Sequence, residues 1–268
     1  MAFFKHLLIK KNLLNNNAFI WNSKKKTINS IKKINTINLD LIVCIERQKK
    51  TLLENTRNFS IGNFTNNALL WGTRGNGKST LIKSIFVTLS SEYNNLRLIQ
   101  LNKNNIFDIE EIYKLISKFS QMRFIIFIDD LSFEKIDSDY KIIKSTLDGS
   151  LQNQPNNIIL YITSNRRHLM SRNMIDNERS SAIHTDESVD EKISLSDRFG
   201  LWIGFHKISQ KEYINIIKSY CKHYQINYSN EDIENSLKWC LQRGNRTGRS
   251  AWQYIIELAA IKNLKINF

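Results

Sequence analysis

The sequence predicts an α/β fold, in which helices cover both faces of a parallel sheet, followed by a smaller part made only of helices. Three observations support this prediction. Short apolar runs alternate with segments of helical periodicity between residues 66 and 206. Every clear pattern after His206 is helical, and a glycine-rich loop separates the first alternating strand from the helix that follows it.

The individual elements follow from this alternation. Apolar runs of strand length occupy residues 68–71, 96–101, 123–128, 158–163 and 201–205. Helical spacing marks residues 78–90, 107–120, 140–151 and 189–198, and beyond the last strand residues 210–223, 230–243 and 248 to the end. Because helices separate consecutive strands, the strands are expected to run parallel. Residues 1–40 are polar, basic and rich in asparagine, with only weak helical patterning.

The loop after the first strand has the pattern G-x-x-x-x-G-K-[ST] of a phosphate-binding loop. It consists of Gly72, Thr73, Arg74, Gly75, Asn76, Gly77, Lys78, Ser79 and Thr80. Glycine permits positive φ angles and a close approach of the backbone to a ligand, so that successive N–H groups can face phosphates. We expect Lys78, as an exposed loop lysine, to reach the β- and γ-phosphates of a nucleotide, and Ser79 to hold Mg²⁺.

Two carboxylates, Asp129 and Asp130, end the third strand. Ligands of open α/β sheets bind at this carboxyl edge. Asp129 therefore suits a Mg²⁺-linked role near Ser79, and Asp130 is placed to polarise an attacking water. The alternative interpretation is an ordinary turn after a strand, where aspartate is common.

Further polar side chains follow the other strands. Asn165 comes after the fourth strand and would lie beside the two aspartates, where it could contact a γ-phosphate or hold the water. Arg198 precedes the last strand, and either Arg246 or Arg249 could fold back over the nucleotide from the start of the last helix. An arginine supplied to a γ-phosphate contributes strongly to phosphoryl transfer. The alternatives are a turn-forming asparagine and surface salt-bridge arginines.

The composition gives weaker information about partners and compartment. The net charge of +14 would suit a nucleic acid or an anionic surface, but the lysines are spread along the chain. Cys44, Cys221 and Cys240 show no paired spacing and indicate reduced thiols, hence a cytoplasmic protein. No apolar run approaches the roughly 18 residues of a membrane span. Residues 1–39 lack acidic side chains, as transit peptides do, but they also lack arginine.

Together these residues resemble the motifs of AAA+ ATPases. The phosphate loop is similar to Walker A and the Asp129-Asp130 pair to Walker B. Asn165 corresponds to sensor 1, Arg198 to the arginine finger and Arg249 to sensor 2.

More narrowly, the chain resembles a bacterial family of predicted AAA+ ATP-binding proteins, classed as a domain of unknown function. The resemblance runs from Ala18 to the end of the chain. It rests on the segments Ala18–Trp21, Ile45–Lys49, Asn66–Gly72, Asp129–Phe133, Tyr161–Leu169 and Glu191–Trp202.

This resemblance implies a P-loop NTPase with a parallel five-stranded sheet, order 5-1-4-3-2, and a C-terminal helical lid. It implies ATP and Mg²⁺ as ligands, adenine near residues 41–45 and a homo-oligomer. The expected division is a basic N-terminal segment at 1–40, a nucleotide-binding domain at 41–206 and the lid at 207–268. The client would be a protein or a nucleic acid, with no membrane involved.

The chain departs from the usual AAA+ pattern at two positions. Walker B usually ends in Asp-Glu, whereas this chain has Asp130, whose carboxylate is one methylene shorter and reaches less far toward water. Asn76 is expected to be harmless, since the loop uses only backbone N–H groups there.

The leading interpretation is an ATPase that couples nucleotide state to a client. The alternative is a nucleotide-gated binding module resembling helicase loaders, with little turnover. A small-molecule P-loop kinase is disfavoured, because no arginine-rich phosphoryl lid is seen.

Overall fold

The structure is a computed structural model and describes residues 2–133, 138–148, 154–167, 169 and 198–266. The strands of the described residues are β1 (Ala18–Asn22), β2 (Thr27–Ser30), β3 (Ala68–Gly72), β4 (Leu96–Leu101), β5 (Arg123–Ile128), β6 (Ile158–Ser164) and β7 (Leu201–Phe205). The α-helices are α1 (Ala2–Asn15), α2 (Glu46–Ser60), α3 (Lys78–Glu92), α4 (Ile109–Ile116), α5 (Ser138–Asp148), α6 (Gln210–His223), α7 (Asn230–Gln242) and α8 (Gly248–Ile261).

These strands form one sheet in the order β2-β1-β4-β5-β6-β3-β7. All neighbours pair in parallel except β1 and β2, which form an antiparallel hairpin. The part β7-β3-β6-β5-β4 has the predicted 5-1-4-3-2 order, so the fold class is confirmed. The predicted count of five strands is wrong, because the described part of the sheet has seven.

The extra strands come from the segment that the sequence marks only as basic and polar. Strand β1 is short, and its register pairs Ala18 with Leu98 of β4. Phe19 and Trp21 point into the core, with 0% and 4% of their surfaces exposed. The neighbouring lysines and asparagines hide this five-residue signal, because a strand this short gives little periodicity.

The core lies in two layers, one on each side of the sheet. Strand β5 shows the division, since Phe124, Ile126 and Ile128 join one apolar cluster. Ile125 and Phe127 join the other. This alternation is the period-2 geometry of a strand buried on both faces. The helix after the phosphate loop, α3, packs in the second layer, where Leu81, Ile82, Ile85 and Phe86 are all buried.

Helices α6, α7 and α8 share a third apolar cluster, which includes Tyr213 and Ile255. Each helix starts with a capping box, headed by Ser209, Ser229 and Thr247. A cap of this kind is worth about 1 kcal/mol of stability, because it satisfies backbone N–H groups that lack partners in the first turn. The three-helix part therefore has an apolar core and helix caps of its own.

The predicted helix at 189–198 lies outside the described residues except for Arg198, and so does the polar segment at 170–190. Within the residues that the structure describes, no helix combines the length and apolarity needed to cross a membrane.

Candidate nucleotide-binding site

A cavity of about 730 Å³ opens at the carboxyl edge of the sheet, between the sheet and the three-helix part. Its lining comes from the glycine-rich loop, the ends of β5 and β6, the segment 41–45, and helices α6 and α8. The volume falls within the range of small-molecule sites, roughly 300–1,000 Å³.

The glycines of the loop adopt backbone angles that favour glycine. Gly72 has a φ of +121°, and a Cβ at this position would lie 2.0 Å from the carbonyl oxygen of Phe205. Gly77 has a φ of +88° and caps the amino end of α3. The loop therefore leaves a backbone cradle beside the positive end of a helix dipole, an arrangement that suits phosphate.

Lys78 is enclosed by the loop that carries it, with 6% of its surface exposed. Its Nζ donates hydrogen bonds to the carbonyl oxygens of Gly72 (2.8 Å) and Thr73 (3.0 Å) and to Oδ1 of Asn165 (3.0 Å). The expectation of an exposed lysine is therefore wrong, because the loop wraps around the side chain. Burial lowers the pKa of Lys78 to about 8, although the carboxylates nearby oppose this shift.

The predicted acidic and polar residues meet at the same end of the cavity. Ser79 Oγ donates to Asp129 Oδ1 at 2.5 Å. Asn165 Nδ2 donates to Asp130 Oδ1, also at 2.5 Å, so Asn165 bridges Lys78 and Asp130. The backbone at Asp130 is left-handed, with a φ of +55°. Aspartate tolerates this conformation better than most residues, since its short polar side chain can bond locally.

The donor set fits Mg²⁺ held together with a nucleotide. The Asp129 carboxylate and the Ser79 hydroxyl offer oxygen ligands, which Mg²⁺ prefers. No group of three or more histidine, cysteine or acidic side chains suited to a metal occurs in the described part of the chain. Mg²⁺ commonly takes one or two protein ligands and completes its shell with waters and substrate phosphates.

The three-helix part touches the phosphate loop directly. The backbone N–H of Arg249 donates to the carbonyl oxygen of Gly75 at 3.0 Å. The Arg249 side chain lines the cavity, whereas Arg246 is not among the lining residues. Of the two arginines that the sequence leaves open, the structure places Arg249 at the cavity.

The segment 41–45 lies between the sheet core and the three-helix core. Ile42 and Ile45 pack against the sheet cluster. Leu41, Val43 and Cys44 pack against the three-helix cluster. Since this segment also lines the cavity, a flat apolar group bound there would contact both parts of the molecule.

Arg198 lies apart from the other predicted residues. It precedes β7, so it sits at the amino ends of the strands, whereas the phosphate loop follows the carboxyl end of β3 beside it. The two edges are separated by a five-residue strand, about 16 Å. Arg198 does not line the cavity, and the structure therefore does not bring it to the other site residues of the same chain.

Sequence reasoning missed three side chains of the site. Thr163 bonds to both predicted aspartates, and strand alternation could have found it, since it shares a face with Asn165. Lys103 Nζ donates to the carbonyl oxygen of Asp130 at 3.3 Å. Asn76 is buried, and its Nδ2 donates to the carbonyl oxygen of His206 at 2.6 Å. The Asn76 side chain therefore bonds the loop to the residue that follows β7, whereas the sequence indicates a role only for the backbone N–H.

Comparisons with known proteins concern the family and the fold of the chain. A family model described as "Protein of unknown function (DUF815)" matches residues 14–262. No curated protein matches the chain.

Solved structures with a similar fold include the RuvB Holliday junction branch migration motor of Thermotoga maritima, at 22% identity and a TM-score of 0.54, covering 86% of this chain and 68% of RuvB. The Aeropyrum pernix ORC1 protein, solved in complex with DNA, gives 15% identity and a TM-score of 0.55, covering 84% of this chain and 65% of ORC1.

Domain III of the Thermotoga maritima replication initiation protein DnaA gives 13% identity and a TM-score of 0.53, covering 87% of this chain and 94% of that domain. The chain spans about two thirds of the length of the RuvB and ORC1 chains. At such identities the likeness shows the fold alone, an α/β fold that this chain shares with RuvB, ORC1 and domain III of DnaA.

Proposed function

The chain belongs to the DUF815 family, and we propose that it binds ATP, hydrolyses it with Mg²⁺, and couples its nucleotide state to an unidentified protein or nucleic-acid client. The observation that supports this proposal is the meeting of Lys78, Ser79, Asp129, Asp130 and Asn165 at one end of a cavity in an AAA+ fold.

Each residue has a role that follows from its position. The backbone N–H groups of residues 72–80 hold the phosphates, and Lys78 balances their charge. Ser79 and Asp129 would hold Mg²⁺, which neutralises negative charge on the phosphates when bound. Asp130 orients the attacking water and accepts its proton. Asn165, which bonds to both Lys78 and Asp130, contacts the γ-phosphate.

The other residues that line the cavity give the places of adenine and of the helical lid. Adenine would lie against the segment 41–45, between the sheet core and the three-helix core. Arg249 would contact the phosphates as the three-helix part closes, because its backbone is already bonded to the loop at Gly75. The expected domain division at 40 and 206 remains part of this proposal.

A nucleotide-gated binding module with little turnover is the second candidate function. The observation that favours it is Asp130, which stands where a longer glutamate is usual and whose carboxylate is engaged by the Asn165 amide. Steady-state phosphate release separates the two functions, since the second candidate binds ATP without multiple turnovers.

Replacing Asp130 with asparagine is expected to keep ATP bound and to lower turnover tenfold or more, the usual effect of losing a positioned base. Asparagine tolerates the left-handed backbone at this position, so the fold should be unaffected. Phosphate release and calorimetric ATP binding measure the two effects. Asp40→Asn, at an exposed carboxylate outside the cavity, is the control. Hydrolysis by Asp130→Asn at the parent rate would assign the residue a structural role.

The lowered pKa of Lys78 predicts a pH dependence of ATP binding. The nucleotide-free side chain loses its proton around pH 8, whereas bound phosphates stabilise the charged form and raise its pKa. Binding must therefore take up a proton above pH 8, and we expect ATP to bind about tenfold more weakly at pH 9 than at pH 7.

Titration calorimetry in buffers of different ionisation enthalpy measures both the affinity and the proton uptake. Lys78→Arg should flatten the pH dependence, because a guanidinium keeps its charge over this range. Equal ATP affinity of the parent chain at pH 7 and pH 9 would contradict the assigned role of Lys78.

The assembly, client and compartment are further parts of the proposal. Arg198 lies outside the cavity of its own chain, which supports a homo-oligomer in which it reaches a neighbour's nucleotide. The net charge of +14 suits an anionic client such as nucleic acid but does not exclude a protein. Free Cys44, Cys221 and Cys240 favour a reducing, cytoplasmic setting.

A further inference from the structure

The hydroxyl of Thr163 is bonded to both consecutive aspartates. Its Oγ1 donates to Asp129 Oδ1 at 2.6 Å and accepts from the backbone N–H of Asp130 at 2.9 Å. Thr163 itself is 1% exposed and lines the cavity. A hydroxyl has one proton to donate and lone pairs to accept with, so a single side chain satisfies both partners.

The bond to Asp129 fixes the carboxylate that is assigned to Mg²⁺. Asp129 Oδ1 accepts from Ser79 Oγ as well as from Thr163 Oγ1. The Ser79 hydroxyl keeps its lone pairs for the metal, while the Thr163 hydroxyl donates its proton to Asp129 and accepts from the Asp130 backbone. Partners that orient a ligand in this way typically contribute tenfold to a hundredfold in metal affinity.

The bond to Asp130 stabilises an unusual backbone. A left-handed conformation is sterically unfavourable for a residue other than glycine. At Asp130 this conformation is held by the Thr163 side chain on one side. On the other side the backbone N–H of Leu131 donates to the Thr163 carbonyl oxygen at 2.8 Å. The Thr163 hydroxyl therefore helps to fix the Asp130 backbone, from which the short carboxylate reaches the Asn165 amide.

Packing in the strand explains why residue 163 is β-branched, but it does not explain why the side chain carries a hydroxyl. Threonine is common in strands because its β-branched side chain packs well there, and β6 is a central, buried strand. Valine would serve that purpose equally, and a buried hydroxyl is unfavourable unless it is bonded. The two bonds to the aspartates explain why a hydroxyl is present.

We propose that Thr163 is a positioning residue that sets Asp129 for Mg²⁺ and Asp130 for the attacking water. This inference rests on the proposed function of the site. It predicts that the hydroxyl, and not the methyl group, determines metal affinity and turnover.

The test compares Thr163→Val, which keeps the shape and removes the hydroxyl, with Thr163→Ser, which keeps the hydroxyl. Mn²⁺ binding to the ATP-loaded full chain is measured by electron paramagnetic resonance, and ATP binding in EDTA by calorimetry. We expect Thr163→Val to need about tenfold more Mn²⁺ for half-saturation and to bind metal-free ATP unchanged. Thr163→Ser should match the parent.

Turnover provides a second readout through a double-mutant cycle. Thr163→Val should hydrolyse ATP about tenfold more slowly, and adding Asp130→Asn should cause little further loss, because the two residues act as one unit. Parent-like Mn²⁺ affinity and turnover in Thr163→Val would overturn the proposal. Equal defects in the valine and serine variants would do so too, because serine keeps the hydroxyl and should then match the parent.

The same measurements check that the variants fold and that the parent chain binds ATP. Melting curves identify an unfolded variant, and Thr163→Ala then replaces Thr163→Val as the hydroxyl-free form. Unfolding of both would show that the hydroxyl serves stability and would overturn the proposal. A parent chain that binds no ATP would overturn the proposed function as well, whereas loss of the difference between variants overturns only the role of Thr163.

Discussion

Lys78→Ala is expected to weaken ATP binding by about a hundredfold or more, equivalent to about 2.7 kcal/mol. Each hydrogen bond from a charged group contributes about 1.5–3 kcal/mol, and Lys78 is the one loop side chain whose ammonium is held within the cradle. The loss should be measurable as the disappearance of the anisotropy change when a fluorescent ATP analogue is titrated.

The same substitution should leave the fold intact, for a reason that the structure supplies. Burial disfavours the charged form of Lys78, as its lowered pKa indicates, so the ammonium is not a source of stability in the nucleotide-free chain. An unchanged melting temperature checks this point. Lys218→Ala, at an exposed lysine on α6 outside the cavity, is the matched control. Unchanged affinity in Lys78→Ala would contradict the phosphate-loop assignment.

Arg198→Ala is expected to lower ATP turnover by about a thousandfold, the lower end of the range for an arginine supplied to a γ-phosphate. The side chain lies at the opposite sheet edge from its own phosphate loop, so the effect should arise between subunits. ATP binding by each subunit should change little. Phosphate release, together with light scattering in the presence of ATP, measures turnover and assembly.

Mixing variants tests the subunit boundary directly. Arg198→Ala and Lys78→Ala subunits should each be inactive alone and regain turnover when combined, because an intact loop can then meet an intact arginine. Arg47→Ala, at an exposed arginine outside the cavity, is the control and should remain active. Full activity in a strictly monomeric Arg198→Ala preparation would show that Arg198 has no such role.

Much of the architecture could be predicted because its signals are local. Apolar runs such as 123–128 and the glycine pattern at 72–80 specify strands and a loop without reference to distant residues. The 5-1-4-3-2 order came from the family resemblance, and the order of strands β7-β3-β6-β5-β4 agrees with it. The hairpin of β1 and β2 escaped prediction, since its stability comes from pairing with β4 across the chain.

The chemistry of the site was harder to predict, because it depends on contacts between separate elements. The burial of Lys78 follows from how the loop wraps around its own side chain. The bonds of Thr163 to both aspartates require β5 and β6 to be adjacent. Asn76 reaches His206 only because β7 lies next to β3. The pattern of residue types predicted where the site lies, and the packing of the strands determines which further side chains contact its residues.

Phosphate release by the parent chain tests the proposed ATPase activity directly. The purified chain is mixed with ATP, with and without Mg²⁺, and compared with Lys78→Ala prepared in the same way. We expect multiple turnovers that require both Mg²⁺ and Lys78. ATP binding with no phosphate release above the Lys78→Ala background would contradict an ATPase and favour the nucleotide-gated binding module.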